Sequence, residues 1–586
     1  MSVTNKTWVI RSADARKAAW LSAELGVSRT LASVLIGRGI DDVAAARRFL
    51  EPSLSDLHSP SLLPDIDAAV DRLERAIRGG EHILIYGDYD VDGVSATALL
   101  VRALQALNAR VSYHIPHRLT EGYDFKVESA ARAAIAGVDL IITVDCGAVA
   151  CEAIAEAKRL GIDVIVTDHH RPGPELPPAI AVVNPVRSDS CYPFSGLAGV
   201  AVAFKLVCAL CDRIGIRQES AQRAFLDLVA LGTCADVSPL LDENRILVKF
   251  GLKQLASTKK VGLRTLMEQA GIANGDITAW HVGFVLGPRL NAAGRLQDAN
   301  LSLRLMLTRD LEEAQQIARE LEQRNSQRRQ EQERILEEAK AQLDVARVSR
   351  SRIVVVSGTG WHPGVIGIVA SRLVDIYRRP AVVVALDGDT ARGSARSKGG
   401  FHLVRALDYC RELLIRYGGH QLAAGFDVSV SNIRALEERL HEVAADMVAD
   451  EDLRDEIEID AWIPACELVP DLWREVQILE PFGEGNPMPV FASRFLVLGS
   501  QCFGKQNEHL RLTVRGDGMP PMEAVYWRAA HMVDTLKPGT EWDFCYRLDV
   551  NRYGGYESLR LAVQDVRPCG SGAVEEPDVQ RDPFSE

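Results

Sequence analysis

His82-Ile83-Leu84-Ile85-Tyr86-Gly87-Asp88-Tyr89-Asp90-Val91-Asp92-Gly93 joins a short apolar run to three alternating aspartates. A run of this length and type, ended by Gly-Asp, reads as a buried strand feeding a turn. Carboxylates crowded this closely repel one another, and they stay ionised together only with cations among them. The same letters open an EF-hand calcium loop. That reading needs a bidentate Glu at the twelfth position, and counting from Asp88 the twelfth is Leu99. The segment before the loop is also strand-like, not helical, so the EF-hand is excluded. A solvated acidic turn is the alternative to a metal site at this point.

Working outward, the pattern strand, acidic turn, helix repeats. Ile83 to Tyr86 is followed by a helix over Val94 to Leu107, with further strands at Arg110 to Ile115, Leu140 to Val144 and Val164 to Thr167. Helical stretches lie near 127–136 and 149–159. Such alternation predicts a parallel sheet with helices on both faces. Asp145 follows one strand and Asp168-His169-His170 another, so these residues and Asp88, Asp90 and Asp92 should converge at the carboxyl edge. A capping or turn role explains any one of these acids and explains their coincidence poorly. A helical segment over Gln222 to Leu231 then leads into Gly232-Thr233-Cys234-Ala235-Asp236-Val237.

The chain has 586 residues, enough for about three or four domains. Hydrophobic residues at 47% and charged residues at 25% describe an ordinary globular composition. A net charge of -13 carries no nucleic-acid signature, although a local basic stripe is compatible with an acidic sum. The eleven cysteines are scattered and odd in number, with one close pair, Cys208 and Cys211, in an apolar helical stretch. They read as reduced core residues, not as zinc ligands or a disulfide framework. The N-terminus lacks a basic-then-apolar signal, and no apolar run approaches the ~18 residues of a membrane span. A cytoplasmic location without membrane association is expected.

Leu311 to Leu343 is a long Glu-, Arg- and Gln-rich helical stretch, about 50 Å if continuous. It reads as a spacer whose charges pair along a solvated face, with Arg324, Arg328 and Arg329 as possible phosphate contacts. A second α/β unit begins at Arg352 to Val356 and continues through a helix over Val365 to Tyr377 and a strand over Ala381 to Leu386. A turn over Arg392 to Ser397, a helix over Leu403 to Ile415 and the segment Gly418 to Gly425 follow. Small residues beside Arg, Ser and His there bring amides and cations close to a phosphate. Beyond about 455 come short β-like segments: Phe495 to Leu498, Leu510 to Val514, Met522 to Tyr526, Trp542 to Leu548 and Leu559 to Val566. These fit a small OB-type barrel, on which Phe503, Lys505, His509, Arg511, Tyr526, Trp527 and Arg528 either contact a single strand or serve as core.

Together, Asp90-Val91-Asp92-Gly93, Thr143 to Gly147, Thr167 to His170 and Ala235-Asp236-Val237 are similar to the four motifs of the DHH phosphoesterase superfamily. Gly418 to Gly425 resembles its associated DHHA1 domain. Further stretches narrow the resemblance to the RecJ family of bacterial single-strand-specific exonucleases. Among them are Asn184-Pro185, Tyr192-Pro193-Phe194, Leu197 to Lys205, Pro288 to Leu296, His362 to Gly367 and Leu479 to Pro487. The expected architecture is two α/β domains, a DHH parallel sheet and DHHA1, joined by a long helix and followed by an OB-type β-barrel. Its expected parts are an N-terminal helical region (1–79), a DHH catalytic domain (80–240), a helical extension (241–309) and a connecting helix (310–345). A DHHA1 domain (346–450), an OB-fold domain (455–567) and a disordered tail (568–586) complete it.

The resemblance implies 5′→3′ degradation of single-stranded DNA to 5′-mononucleotides, in recombination and repair, with two divalent ions, Mn²⁺ or Mg²⁺. Coordination is assigned to Asp88, Asp90, Asp92, Asp145, His169 and Asp236. His170 is the further catalytic residue, and Asp168 is expected to orient His169 from behind. The superfamily's early histidine falls at Tyr86 here, and Asp88 is its natural substitute. Arg289, Arg295, Ser394, Arg396 and His420 are assigned to the 5′ end and nearby phosphates, and Lys505, Arg511, Trp527 and Arg528 to strand contacts on the barrel. A single-strand-binding protein and a RecQ-type helicase are candidate partners of a monomer. A phosphodiesterase for short oligonucleotides or cyclic dinucleotides is the alternative enzyme, and a non-enzymatic DNA-binding scaffold is the alternative outside catalysis. A covalent aspartyl route leaves His169 and Asp236 without a purpose.

Overall fold

Strand His82–Gly87 is the second of five parallel strands, in the order Arg110–His114, His82–Gly87, Leu140–Val144, Asp163–Thr167, Ala181–Val183. The chain runs outward from the first strand to Arg110–His114 and then crosses back to Leu140–Val144. The reversal leaves a crevice at the carboxyl ends of His82–Gly87 and Leu140–Val144, the topological switch point where open α/β sheets bind ligands. Asp88 and Asp145 follow those two strands directly. Helices cover both faces, Val91–Ala106 and Gly199–Arg213 in one core and Val127–Ile135 and Cys151–Arg159 in the other.

This is a computed structural model that describes residues 6–118, 120–272, 277–296, 298–344, 348, 351–449, 453–553 and 556–570. The chain divides into two units, Pro52–Leu453 with Pro481–Pro487, and Met1–Glu51 with Arg454–Glu480 and Met488–Glu586. The stretch 1–79, expected as one helical region, is therefore shared between units. Helix Ile66–Gly79 packs in the first unit, whereas strand Thr7–Ile10 pairs in parallel with Glu456–Ile459 in the second. Ser28, Thr30 and the helices around them are held there through Glu475 and Glu467. Such pairings, over four hundred residues apart, leave no local signal. The expected tail lies outside the described residues from 571 onward.

The long helix is Leu311–Ala341, 31 residues. It is not a free spacer. Ala314, Ile317 and Leu321 belong to the core of the first α/β domain, and Ile335, Leu336 and Ala339 to a core of the second. One rigid element is thus buried at both ends.

The second α/β domain departs from the expected segments. Its sheet runs Leu414–Gly419, Ala423–Ser429, Thr390–Arg396, Ala381–Asp387, Val354–Thr359, and only the last pair is parallel. The expected turn over Arg392 to Ser397 is mostly strand. Gly393 stands in mid-strand opposite Phe426, and a Cβ there would come within 2.1 Å of that ring. The helix expected to reach Ile415 ends at Asp408, and Gly418 to Gly425 is the tip of an antiparallel hairpin, with Gly418 paired to Gly425 and the turn itself at 420–422.

In the second unit, Phe491–Phe503 pairs with both His509–Arg515 and Glu541–Tyr553, and Met522–Tyr526 with Tyr556–Pro568. The sheet closes on itself, as a five-stranded barrel requires. Not all cysteines are core: Cys191 and Cys466 are exposed. Among the described residues no helix is long and apolar enough to cross a membrane.

Candidate metal centre

Helix Val91–Ala106 starts three residues earlier than the apolar pattern suggested, because Asp90 caps it. Its carboxylate accepts from the amides of Asp92 (2.9 Å) and Gly93 (3.1 Å). Asp92 therefore sits inside the first turn, buried, and accepts from the amides of Gly199 (2.7 Å) and Val200 (2.9 Å) at the start of helix Gly199–Arg213. Two helix N-termini thus face these acids and favour their ionised form. The approach is close enough to demand glycine. A Cβ on Gly199 would lie 2.6 Å from Asp145 Oδ1, and one on Gly232 2.6 Å from Asp92 Oδ1.

Asp145 adopts φ 61°, an uncommon conformation outside glycine, and turns its carboxylate into the crevice. Gly232 to Ala235 are the end of helix Gln218–Ala235 and not a loop after it. Asp236 caps that helix and accepts from Ser238 Oγ at 2.6 Å, while Val237 beyond it has φ 62°. Strained backbone at two positions flanking one crevice is a recurrent property of functional sites.

Three groups of donor atoms lie within 4.8 Å of one another: Asp88, Asp90 and Asp145; Asp92, His169 and Asp236; and Asp145, His169 and His170. Every residue expected to coordinate falls in these sets. Asp88 Oδ1, Asp145 Oδ1 and His169 Nε2 are buried without a hydrogen-bond partner, although His169 Nε2 lies 3.0 Å from Asp145 Oδ1. Orphaned polar atoms of this kind are costly unless something binds them. Oxygen donors with one imidazole fit Mg²⁺ or Mn²⁺. Tyr86, at the place of the superfamily's histidine, is core: it packs on Phe125 and its hydroxyl donates to Asp124 O at 3.3 Å.

Burial first, and then neighbouring aspartates, push the carboxyls of Asp88, Asp92 and Asp145 well above the usual range. Burial also raises Asp236, opposed by His169, and lowers His169. His170 behaves oppositely. Burial pulls it down, but its hydrogen bond to Asp168 lifts it to about 9. Asp168 Oδ1 accepts from His170 Nδ1 (2.9 Å) and from the amides of His169 (2.8 Å) and His170 (3.1 Å). The ring that Asp168 orients is thus His170, where His169 was expected; it holds His169 only through the backbone. An imidazole two residues on reaches back to the carboxylate more directly than its adjacent neighbour.

Arg295 and Arg396 come together with Arg118 and Arg328. Burial first, then Arg118, Arg328 and Arg396, lower Arg295 to about 9, and burial and Arg118 lower Arg396. Among the described residues none of these four is in ion-pair contact with a carboxylate. Arg396 Nη1 donates to Ser394 Oγ at 3.3 Å, and the His420 ring stacks 6.2 Å from that of His170. Arg289 differs, since its guanidinium is taken by Glu322 (2.6 Å) and Val285 O (2.7 Å). Arg324 pairs with Glu320 on its own helix.

Sequence reasoning missed Arg118 and Tyr123. Arg118 lies over the Tyr89 ring at 5.0 Å, and the Tyr123 hydroxyl is 3.2 Å from His170 Nδ1. Both follow strand Arg110–His114, the one strand of the first four whose carboxyl end had no residue assigned to it.

On the barrel, Tyr526 is buried, while Trp527 is half exposed against Phe503 (5.7 Å) and His509 (4.8 Å). Arg511 lies over Phe503 at 5.0 Å, the Arg528 amide donates to His509 Nδ1, and Lys505 is exposed.

Residues 82–233 match the model of the DHH family, N-terminal domain, residues 350–446 the DHHA1 domain, and residues 459–565 the RecJ OB domain. The single-stranded-DNA-specific exonuclease RecJ of Bacillus subtilis (strain 168) is 36% identical over 569 residues, 97% of this chain and 71% of that protein. The crystal structure of RecJ from Thermus thermophilus in complex with Mn²⁺ covers 96% of this chain and 80% of its own, with a TM-score of 0.83 and 33% identity. The complex of that protein with Mg²⁺ has a TM-score of 0.78 at 32% identity, covering 96% of this chain and 79% of its own. With all three family models in order along it and this identity over most of its length, the chain belongs to the RecJ family of single-stranded-DNA-specific exonucleases.

Proposed function

We infer that the chain is a metal-dependent exonuclease that hydrolyses single-stranded DNA from its 5′ end, releases 5′-mononucleotides and serves recombination and repair. The observation that carries this reading is the meeting of Asp88, Asp90, Asp92, Asp145, His169 and Asp236, with buried acceptor atoms left unpartnered, in a member of that family. These six residues would hold two divalent cations, Mn²⁺ or Mg²⁺. Bound there, the cations supply a polarised phosphate and a water of lowered pKa.

The chain's own groups do the rest. His170, protonated through neutral pH by Asp168, is assigned to donating a proton to the leaving oxygen or to gripping the phosphate. Arg118, Arg295, Arg396 and Ser394 are assigned to the terminal 5′-phosphate. Guanidinium groups gathered with no carboxylate in ion-pair contact repel one another until an anion joins them, which supports that assignment. Arg289 is left out because Glu322 already occupies it. Lys505, Arg511, Trp527 and Arg528 are assigned to single-strand contacts on the barrel. The resemblance supports, as further proposals, a cytoplasmic monomer working with a single-strand-binding protein and a RecQ-type helicase.

The test is digestion of a 5′-labelled and a 3′-labelled single strand by wild type and Asp90→Ala, with EDTA and Mn²⁺ controls. The 5′ label should appear at once as mononucleotide while the 3′ label shortens gradually. Cleavage in EDTA, or activity surviving Asp90→Ala, overturns the mechanism. In the same assay, Arg396→Ala should weaken the preference for a 5′-phosphorylated end more than binding to internal DNA; equal loss on both removes the end-pocket assignment.

A further inference from the structure

Trp280 and Phe284 are large aromatic residues left in water, 59% and 69% exposed, with rings stacked at 5.7 Å and 25°. Their base is tied down by hydrogen bonds. His281 closes a capping box with Thr278, whose amide donates to His281 Nδ1 at 3.1 Å, and the His281 ring stands edge-on to Trp280. The helical run through 282–286 is π-type, a widened turn that recurs at functional sites. An exposed, preorganised apolar pair marks a contact surface, and its surroundings say for what.

The same helical run continues as Gly287–Leu296 along the metal centre. A Cβ on Gly287 would lie 3.6 Å from Ala235, the neighbour of Asp236, and one on Gly294 2.8 Å from the carbonyl of Tyr89, between Asp88 and Asp90. Arg295 of the guanidinium cluster follows. One continuous segment thus carries the aromatic pair, then the flank of the acids, then the phosphate-binding arginine. Phe284 and Arg295 are about 16 Å apart along it at 1.5 Å per residue.

We propose that Trp280 and Phe284 form a stacking platform for unpaired bases of the substrate on the 3′ side of the bond to be cleaved. This rests on the single-strand exonuclease reading. With the 5′ end at Arg295 and the reacting phosphate at the acids, the remaining strand leaves toward the other end of the segment. Aromatic faces there hold any base and cannot stack on bases already paired in a duplex.

The test uses single strands carrying one abasic residue at successive positions from the 5′ end. They are digested by wild type, by the double variant Trp280→Ala/Phe284→Ala and by Trp280→Tyr/Phe284→Tyr. An abasic residue at one or two positions past the first phosphodiester should raise the wild-type KM about tenfold or more. The alanine variant should show that raised KM on the unmodified strand, with kcat little changed and no further loss at the abasic positions. The tyrosine variant should restore the wild-type pattern. An unchanged KM for the alanine variant, or abasic sensitivity equal to that of wild type, overturns the platform. Failure of wild type to shorten the unmodified strand overturns the exonuclease reading, and the platform with it.

Discussion

Asp168 does not reach the cation sets, yet it ties together Ala148, His169 and His170 through four hydrogen bonds. Replacing it by Asn keeps the shape but loses the charge that holds the His170 proton. Asp168→Asn should therefore lower kcat about 10- to 100-fold, the range for partners that orient metal-site residues, with a smaller change in KM. The effect should be largest above neutral pH, where His170 without that carboxylate no longer stays protonated. A pH–rate profile that keeps its basic limb in place would contradict the assignment. The raised carboxyls of Asp88, Asp92 and Asp145 make a second prediction. Protons and cations compete for them, so Mn²⁺ binding should release protons and tighten as pH rises. Calorimetric titration in two buffers of different ionisation enthalpy measures that release. Asp88, Asp90, Asp92 and Asp145 were legible in the sequence because they follow strands, whereas Asp236, at the end of a helix, was reached through the motif resemblance. Arg118 and Tyr123 were not legible, because a loop residue's partner is set by where the loop folds back.

At the scale of elements, the helix Leu311–Ala341 joins the two α/β domains as expected, and what the sequence did not show is its burial in both. Its Glu/Arg composition suits a solvated spacer, while its few apolar positions are buried in two different cores. Gln330 is exposed near its middle, so Gln330→Pro tests the backbone alone. It should destabilise by about 3 kcal/mol or more and split thermal unfolding into two transitions, with Gln330→Ala neutral. A single unshifted transition would show that the two cores do not depend on one continuous helix. The strand Thr390–Arg396 carries a related lesson. Gly393 and two small neighbours imitate a turn, and only the ring of Phe426 opposite explains why glycine stands in mid-strand.

At the scale of the molecule, residues 454–480 and the barrel share a unit with the first fifty-one residues. Removing 455–586 alone therefore strips strand Thr7–Ile10 and helix Arg29–Gly37 of their partners. That truncated chain should aggregate more, by light scattering, than one that also lacks residues 1–51. Equal solubility of the two would mean that the N-terminal segment stands alone.

The motif resemblance supplied Asp236 and the set of six candidate ligands; the alternation of strand, acid and helix determined, from the sequence by itself, the parallel sheet and the edge on which Asp88, Asp90, Asp92, Asp145 and His169 meet. These are consequences of period and chain order, which are local properties. Tertiary structure decided which histidine Asp168 orients, that Arg289 is spent on Glu322, that Arg118 joins the basic cluster, and that the two ends of the chain pair. Each of those depends on which distant groups come within hydrogen-bond or ion-pair range. That distance is set by the packing of the whole chain and has no period to read.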